Sequence, residues 1–249
     1  MKEKLDQHRR LWARKPGLRA VYADWFEALL RLVPERGRAL EVGSGPGLLA
    51  ERARHERPGL RWVALDVIAA PWNDVAGDAS ALPFSARAFD ALVGLDVVHH
   101  LARPAAFFRE AARVLRPGAL LAVIEPWVTP FSYPIYRFLH EEGLRPGLDP
   151  WRPFESAGKA PFDGDGGLFT RLLRSTAAGR WGELGFAAPR VTLINGFAYL
   201  LTLGFRERSL LPAPLVAPLR AFDRATARLA PLVALRACAV WQRLEESSA

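Results

Sequence analysis

The chain is poor in cysteine and lysine, and it has no long apolar run. Its 249 residues include one cysteine, Cys238, which can form neither an internal disulfide bond nor a cysteine-rich zinc site. No stretch reaches the ~18 apolar residues of a membrane-spanning helix. The charged N-terminus also lacks the apolar segment of a signal peptide. Together these absences predict a protein of a reducing, cytoplasmic compartment without a cysteine-based metal centre.

The positive charge of the chain comes almost entirely from arginine. Lysine occurs only at positions 2, 4, 15 and 159, while the formal net charge is +8. A basic chain can bind nucleic acid or a membrane surface. Beside so much alanine, leucine, glycine and proline, however, the arginine excess indicates a GC-rich genome. We therefore do not expect nucleic acid as a partner.

The apolar pattern predicts an α/β fold for the first half of the chain. Two helices are expected within residues 1–36, broken at Lys15-Pro16-Gly17. Further on, short apolar runs alternate with helical segments, which favours right-handed crossovers and a mostly parallel sheet with helices on both faces. The predicted strands are 38–43, 60–67, 74–78, 88–96 and 119–126, and the helices between them are 46–57 and 103–115.

The second half of the chain does not show this alternation of strands and helices. Residues 127–189 are rich in proline, glycine and aromatic residues, which is typical of a cap inserted over a binding site. The segments 190–196 and 198–205 are predicted as antiparallel edge strands, and 206–249 as C-terminal helices. We expect a single domain over 1–249, with its ligand-binding core in 37–126.

A glycine loop follows the first predicted strand, in "LEVGSGPG" (40–47). A dinucleotide loop of the G-x-G-x-x-G type would need a third glycine at position 48, which is Leu48. A phosphate loop needs a lysine, and none occurs between Lys15 and Lys159. The remaining pattern is an acid followed by three alternating glycines: Glu41, Gly43, Gly45 and Gly47. It leaves backbone amides and a helix N-terminus facing a ligand that carries one carboxylate.

These segments resemble the class I S-adenosylmethionine-dependent methyltransferases. Within that class the chain is similar to the small-molecule branch that includes the type 11 and quinone C-methyltransferase-like proteins. The resemblance covers about residues 38–126 and rests on "LEVGSGPG" (40–47), "ALDV" (64–67), "GDASALPFSARAFD" (77–90) and "REAARVLRPGALLAVIEP" (109–126).

The resemblance implies S-adenosylmethionine as the cofactor and names the residues that would hold it. Asp66, which ends the second strand, would accept hydrogen bonds from the ribose, as an acid about twenty residues past such a loop can. Asp78 would contact the adenine amino group, although a turn aspartate often bonds only its own backbone. The full set of expected donor contacts is Glu41, Gly43, Ser44, Gly45, Gly47, Asp66, Val67, Asp78, Ala79 and Leu95.

Methyl transfer from a sulfonium is an in-line displacement that depends mainly on positioning. A base is needed only where the acceptor loses a proton. The candidates are His99 and His100, after the fourth strand, and Glu125, at the end of the fifth; packed histidines are the alternative. No metal site is expected. The segment "LDVV" (95–98) is unlike the Asn/Asp-Pro-Pro-aromatic loop of enzymes that methylate nucleobase amines.

The predicted function is methyl transfer to a small, apolar or aromatic acceptor. Aromatic residues of the cap would line its pocket: Trp127, Phe131, Tyr133, Tyr136, Phe138, Trp151, Phe154, Phe162 and Phe169. The alternatives are an RNA or protein acceptor, a non-catalytic S-adenosylmethionine-binding module, and an aminopropyl transferase of the same fold.

The C-terminal segment carries a separate hypothesis. Arg220, Arg224 and Arg228 stand four residues apart and share one helical face, and another face can gather the apolar residues Leu215, Leu219, Phe222 and Leu229. Such a basic amphipathic helix can lie on a membrane surface. The alternative is a helix packed on the sheet with its arginines in water.

Overall fold

The computed structural model describes residues 1–140, 142–145, 147, 149–153, 162–175 and 178–245. Seven strands of one sheet lie within these ranges. They are β1 (Gly37–Val42), β2 (Leu60–Asp66), β3 (Val75–Ala76), β4 (Phe89–Leu95), β5 (Leu115–Pro126), β6 (Arg190–Ile194) and β7 (Arg236–Gln242).

The order of the strands in the sheet is β3-β2-β1-β4-β5-β7-β6. The pairs from β3 to β5 are all parallel, whereas β7 runs antiparallel to both β5 and β6. The strand order reverses between β1 and β4, so the carboxyl ends of these two strands flank the place where open α/β sheets bind ligands. The predicted mostly parallel α/β sheet with antiparallel pairing towards one edge is confirmed.

Helices cover both faces of the sheet. They are α1 (Lys2–Arg14), α2 (Pro16–Leu30), α3 (Leu48–Glu56), α4 (Pro104–Val114), α5 (Ser132–Pro134), α6 (Leu168–Arg174), α7 (Ala178–Glu183), α8 (Phe197–Thr202), α9 (Val216–Ala225) and α10 (Ala230–Val233). A π-helical turn, Ile135–Leu139, continues α5. Among the residues described, no helix is long and apolar enough to cross a bilayer.

Side chains along the central strands point alternately to the two faces of the sheet, so the core is divided into two clusters. Leu40 and Val42 of β1 point into the larger cluster, while Ala39 points into the other, which α2 and α3 cover. In α2 the buried positions recur every three or four residues, at Leu18, Val21, Tyr22, Trp25 and Leu29. The helices α1 and α2 meet at Lys15, because Pro16 can begin a helix but cannot continue one.

Two assignments in the second half of the chain were wrong. Residues 198–205, predicted as an edge strand, lie mainly in α8, which buries Ala198 and Thr202 one turn apart. The strand that pairs with β6 is β7, within the 206–249 segment that was predicted to be helical. Because β7 lies between two strands and is covered on both faces, its sequence is a short continuous apolar run. Such a run does not differ in period from a buried helix.

Part of the predicted cap belongs to the core instead. Phe169 and Leu172 of α6, together with Trp181 and Phe186, are buried in the larger cluster beside Trp241 of β7. Among the described residues of the predicted cap, those that line the cavity described below are Ile135, Tyr136, Leu139, His140, Glu142 and Phe162. Phe154, one of the aromatic residues assigned to the acceptor pocket, lies outside the described residues.

Candidate functional site

The loop after β1 has a backbone that only glycine adopts easily. Gly43, Gly45 and Gly47 all have positive φ values, of 66°, 50° and 73°. A Cβ atom at Gly43 would lie 2.6 Å from the Val97 side chain, and one at Gly47 would lie 2.5 Å from the Trp72 ring. These glycines therefore provide both the turn and the close packing that hold the loop against α3.

Asp66 lies directly behind this loop. Its carboxylate accepts hydrogen bonds from the backbone N–H of Gly45, at 2.7 Å, and of Ile68, at 2.8 Å. Burial raises the pKa of Asp66, and the two backbone N–H groups counteract that rise. Asp66, the last residue of β2, thus lies beside the loop that follows β1, as the sequence predicted. Each carboxylate oxygen still has an acceptor position for a ligand hydroxyl.

Glu41 is the buried acid of the glycine motif. Its Oε2 accepts a hydrogen bond of 2.8 Å from Trp62 Nε1 of the neighbouring strand. Burial raises the pKa of Glu41 to about 8, although the Trp62 hydrogen bond acts in the opposite direction. The side chain is thus mainly protonated at neutral pH.

Trp72, Asn73 and Arg9 also hold the glycine loop, and the sequence reasoning missed them. Trp72 Nε1 donates to the Gly45 carbonyl at 2.7 Å, and Ser44 Oγ donates to Asn73 Oδ1 at 2.8 Å. Arg9 of α1 donates to the Pro46 carbonyl at 2.6 Å and lies 4.8 Å over the Trp72 ring. No motif predicts such contacts, because they join three segments that are distant in sequence.

The other residues predicted to contact the methyl donor differ in their exposure and in whether they line a cavity. Asp78 is exposed; its Oδ1 accepts from the N–H of Ser80, two residues on, and its Oδ2 pairs with Arg103 at 3.2 Å. Ala79 is buried, whereas Val67 is exposed. Leu95, at the end of β4, lines a large cavity together with Glu41, Gly43, Ser44 and Gly45, whereas Gly47, Asp66, Val67, Asp78 and Ala79 are not among its lining residues.

That cavity has a volume of about 720 Å³ and lies at the carboxyl ends of β1, β4 and β5. Its size falls within the ~300–1,000 Å³ of small-molecule sites. Aromatic side chains also line it, namely Tyr22, Phe26, Tyr136, Phe162, Tyr199 and Phe205. Of the aromatics predicted for the acceptor pocket, Tyr136 and Phe162 are the two found here among the residues that the structure describes. The other aromatics of this lining come from α2, α8 and the segment after α8.

The three predicted catalytic residues meet at the floor of this cavity. Asp96 has a φ of 56°, which turns the chain after β4 so that the next residues fold back over β5. Glu125 is fully buried and accepts hydrogen bonds from the N–H groups of Val97, at 2.8 Å, and Val98, at 2.7 Å. Its Oε2 lies 2.6 Å from His99 Nδ1. The rings of His99 and His100 have centroids 4.1 Å apart.

Glu142, from the loop over the sheet edge, completes this group. Its carboxylate lies 3.0 Å from His99 Nε2, 3.6 Å from His100 Nε2 and 3.9 Å from His140 Nδ1. His99 therefore lies between two carboxylates, one from β5 and one from the loop. The sequence reasoning did not rank Glu142, because no spacing relates it to His99.

Burial and these neighbours determine the charges of His99, His100 and Glu142. Burial alone would lower the pKa of His99, but Glu125 and Glu142 outweigh it and raise that pKa to about 10. Burial would likewise raise the pKa of Glu142, but its hydrogen bond with His99 and the nearby histidines bring it down to about 2. Burial, with the positive charge of His99, lowers the pKa of His100 to about 4. At neutral pH His99 is an imidazolium, and His100 is neutral.

A buried arginine lies at the same end of the cavity. Arg236, the first residue of β7, forms an ion pair with Asp96. Its guanidinium lies 4.3 Å over the Trp25 ring and 4.8 Å over the Tyr199 ring. The acceptor end of the cavity thus has apolar walls and a few charged groups that are already paired.

Comparison with known proteins shows what residues 40–123 are similar to. Residues 40–123 match the type 11 family described as a methyltransferase domain. The demethylmenaquinone methyltransferase of Roseiflexus castenholzii is 35% identical over 131 residues, which are 47% of this chain and 54% of that protein. The chain spans about half the length of the curated relatives it matches.

Solved structures agree on the fold. A SAM-dependent methyltransferase from Archaeoglobus fulgidus superposes with a TM-score of 0.54 at 13% identity, covering 90% of this chain and 93% of that chain. The cyclase SpnF superposes with a TM-score of 0.53 at 18% identity, covering 89% of this chain and 80% of that chain. Together with the family match, this fold confirms the predicted resemblance to the class I S-adenosylmethionine-dependent methyltransferases of the type 11 group, over residues 40–123.

Proposed function

We propose that the chain transfers the methyl group of S-adenosylmethionine to a small apolar or aromatic molecule. One observation carries this proposal. The cavity of about 720 Å³ is lined both by residues of the glycine loop and by a set of aromatic side chains. A donor on the loop and an acceptor among the aromatics would share one cavity, as an in-line displacement requires.

The donor end offers the groups that this cofactor needs. Bound S-adenosylmethionine supplies an activated methyl group on a positively charged sulfur. Gly45 leaves open space beside its backbone, Gly43 and Gly47 allow the loop to turn, and α3 begins at Leu48 directly behind them. Asp66 would accept from the ribose hydroxyls and Asp78 from the adenine amino group. Glu41, Ser44, Val67, Ala79 and Leu95 would complete the contacts.

The acceptor end favours an aromatic molecule with a polar substituent. Tyr22, Tyr136 and Tyr199 line the cavity, together with His100 and Glu142. The Roseiflexus relative is named for a demethylated quinone, so an aromatic quinol is a natural acceptor class to propose. Where such an acceptor must lose a proton, His99, His100 and Glu125 are the candidate bases.

The walls of the cavity argue against RNA or protein as acceptor. Helix α1 contributes Lys4, Leu5, Gln7 and His8 to its wall, and the segment after α8 contributes Leu203 to Glu207. A large acceptor would have to displace both. The main alternative function is that of a module that binds the cofactor but transfers no methyl group.

The proposal also includes a cytoplasmic location, with contact to a membrane surface.

Replacement of Asp66 tests the donor site. Asp66→Ala should weaken S-adenosylmethionine binding by about ten- to a hundredfold, because it removes charge-assisted hydrogen bonds worth ~1.5–3 kcal/mol. Calorimetry on the full chain measures this. The matched control is Asp24→Ala, since Asp24 is a surface aspartate paired with Arg220, away from the lining residues.

Methyl transfer is then followed as S-adenosylhomocysteine formed with a panel of hydroquinones and phenols. Absence of S-adenosylmethionine binding by the wild-type chain, or equal binding by Asp66→Ala, would contradict the donor site. Tight binding with no product from any aromatic acceptor would instead favour the non-catalytic module.

A further inference from the structure

Three of the five histidines of the chain come together around one carboxylate. His99 and His100 follow β4, while His140 and Glu142 follow the π-helical turn. The ligand-type atoms of His99, His100 and Glu142 all lie within 4.8 Å of one another. His140 Nδ1 lies 3.9 Å from Glu142 Oε2.

The distances suit a common metal ion. Two ligand atoms that each lie ~2.0–2.1 Å from a tetrahedral zinc ion are about 3.4 Å apart. The distances from the Glu142 oxygens to His99 Nε2 and His100 Nε2 are 3.0 and 3.6 Å, which lie on either side of that value. An ion would therefore fit among these atoms after small side-chain rotations.

Glu125 provides the outer support that metal-binding histidines usually have. A histidine that ligates a metal through one ring nitrogen almost always donates from the other nitrogen to a carboxylate or carbonyl. His99 Nδ1 lies 2.6 Å from Glu125 Oε2, and the backbone N–H groups of Val97 and Val98 hold the other oxygen of that carboxylate. His99 is thereby fixed with Nε2 directed at Glu142 and away from the sheet.

The donor set also narrows the choice of ion. Two or three imidazoles with one carboxylate suit zinc, iron, cobalt or nickel, whereas magnesium and calcium prefer oxygen ligands throughout. The cluster lines the same cavity as the glycine loop. An ion held there would have a coordination position available for an oxygen atom from the cavity, as catalytic sites with three protein ligands do.

We propose that His99, His100 and Glu142, with His140 beside Glu142, bind a divalent first-row transition metal, represented by zinc. The ion would hold a hydroxyl or carbonyl oxygen of the acceptor near the donor's methyl group. Metal binding itself does not depend on the proposed function; only the role in holding the acceptor rests on it. This ion would also lower the pKa of a hydroxyl group bound to it.

Binding of zinc alone tests the site. The full chain is stripped with a chelator, dialysed and titrated with Zn²⁺ in a calorimeter, and Co²⁺ is added separately to record the visible spectrum. We expect one Zn²⁺ per chain and a cobalt absorption band typical of low coordination number. Glu142→Gln and His100→Gln should each bind Zn²⁺ at least tenfold more weakly. His55→Gln is the matched control, because His55 is an exposed histidine of α3.

The outcomes separate the metal site from an ordinary ion pair. If wild-type protein binds no Zn²⁺ at micromolar concentrations, or if Glu142→Gln and His100→Gln bind it as tightly as wild type, the cluster is only a set of ion pairs. Circular dichroism verifies that each variant is folded. His140→Gln, on the loop, gives a second weakened variant that leaves the sheet unchanged. Zinc binding by a wild-type chain that fails to bind S-adenosylmethionine would refute the proposed function and still support the metal site.

Discussion

At the scale of single residues, Glu41 makes stability depend on pH. Its pKa is raised from 4.5 to about 8 by burial, against the Trp62 hydrogen bond and the charge of Arg54. In the unfolded chain the carboxyl ionises near its ordinary value. Between pH 4.5 and 8 the unfolded state therefore binds fewer protons than the folded state does, and the free energy of unfolding falls as pH rises through this window.

Glu41→Gln should remove this dependence, since glutamine keeps an oxygen for Trp62 Nε1 and cannot ionise. Each unit of pKa shift corresponds to about 1.4 kcal/mol, so the variant should gain a few kcal/mol relative to wild type between pH 5 and pH 9. Urea unfolding at the two pH values measures the gain. Glu183→Gln, at an exposed glutamate of α7, is the control. Parallel stability curves for wild type and Glu41→Gln would show that Glu41 is not the source.

At the scale of elements, one buried lysine joins the N-terminal helices to the wall of the cavity. Lys15, at the break between α1 and α2, donates from Nζ to the carbonyls of Thr202, Gly204, Arg206 and Arg208, at 2.6–2.9 Å. Burial lowers the pKa of Lys15. The segment that it holds follows α8 and supplies Leu203 and Phe205 to the cavity. The sequence predicted a break between two helices at Lys15-Pro16-Gly17. That break also positions the ammonium group of Lys15 beside these carbonyls.

Lys15→Met should destabilise the fold by about 3 kcal/mol or more, because several buried carbonyls lose a charged donor at once. It should also weaken acceptor binding more than donor binding, since the released segment lies at the aromatic end of the cavity. Urea unfolding and calorimetry measure the two effects. Lys2→Met, at an exposed position of α1, controls for the substitution itself. Unchanged stability of Lys15→Met would mean that water replaces the ammonium group without cost.

The sequence predicted which residues gather at the glycine loop better than which gather around His99 and Asp96, and the reason is physical. Gly43, Gly45 and Asp66 lie at fixed distances from strands that are adjacent in sequence, so local patterns place them. Glu142 and Arg236 reach His99 and Asp96 only through tertiary folding, across irregular segments with no period. The same limit explains β7, whose place between β5 and β6 follows from the closure of the whole sheet.

At the scale of the whole molecule, the C-terminal segment both packs on the protein and exposes apolar side chains. Leu211 is buried and Leu219 packs against the cluster under α2, whereas Leu210 is 62% exposed and Leu215 47% exposed. Arg220 is paired with Asp24, and Arg228 follows α9 in a separate 3₁₀ turn, so the predicted single arginine face is not formed. The outward surface instead combines exposed arginines with five apolar side chains: Leu210, Leu215, Phe222, Leu229 and Leu232.

This outward surface leads us to predict contact with an anionic membrane. The chain carries a formal charge of +8, and each arginine near an anionic leaflet contributes roughly 1 kcal/mol. The exposed leucines and phenylalanine would enter the headgroup region. The wild-type chain should co-sediment with phosphatidylserine-containing vesicles at low salt, less at high salt because of screening, and not with neutral vesicles.

Two variants decide whether this surface is the contact. Leu215→Asp combined with Phe222→Asp should abolish sedimentation, because it places two acids within the apolar patch. Val191→Asp should leave sedimentation nearly unchanged, since Val191 is an exposed apolar residue of the edge strand β6. If the wild-type chain stays in the supernatant with anionic vesicles at low salt, α9 is only a packed helix. If both variants lose sedimentation equally, the attraction comes from net charge alone, and the apolar side chains of the C-terminal segment have no part in it.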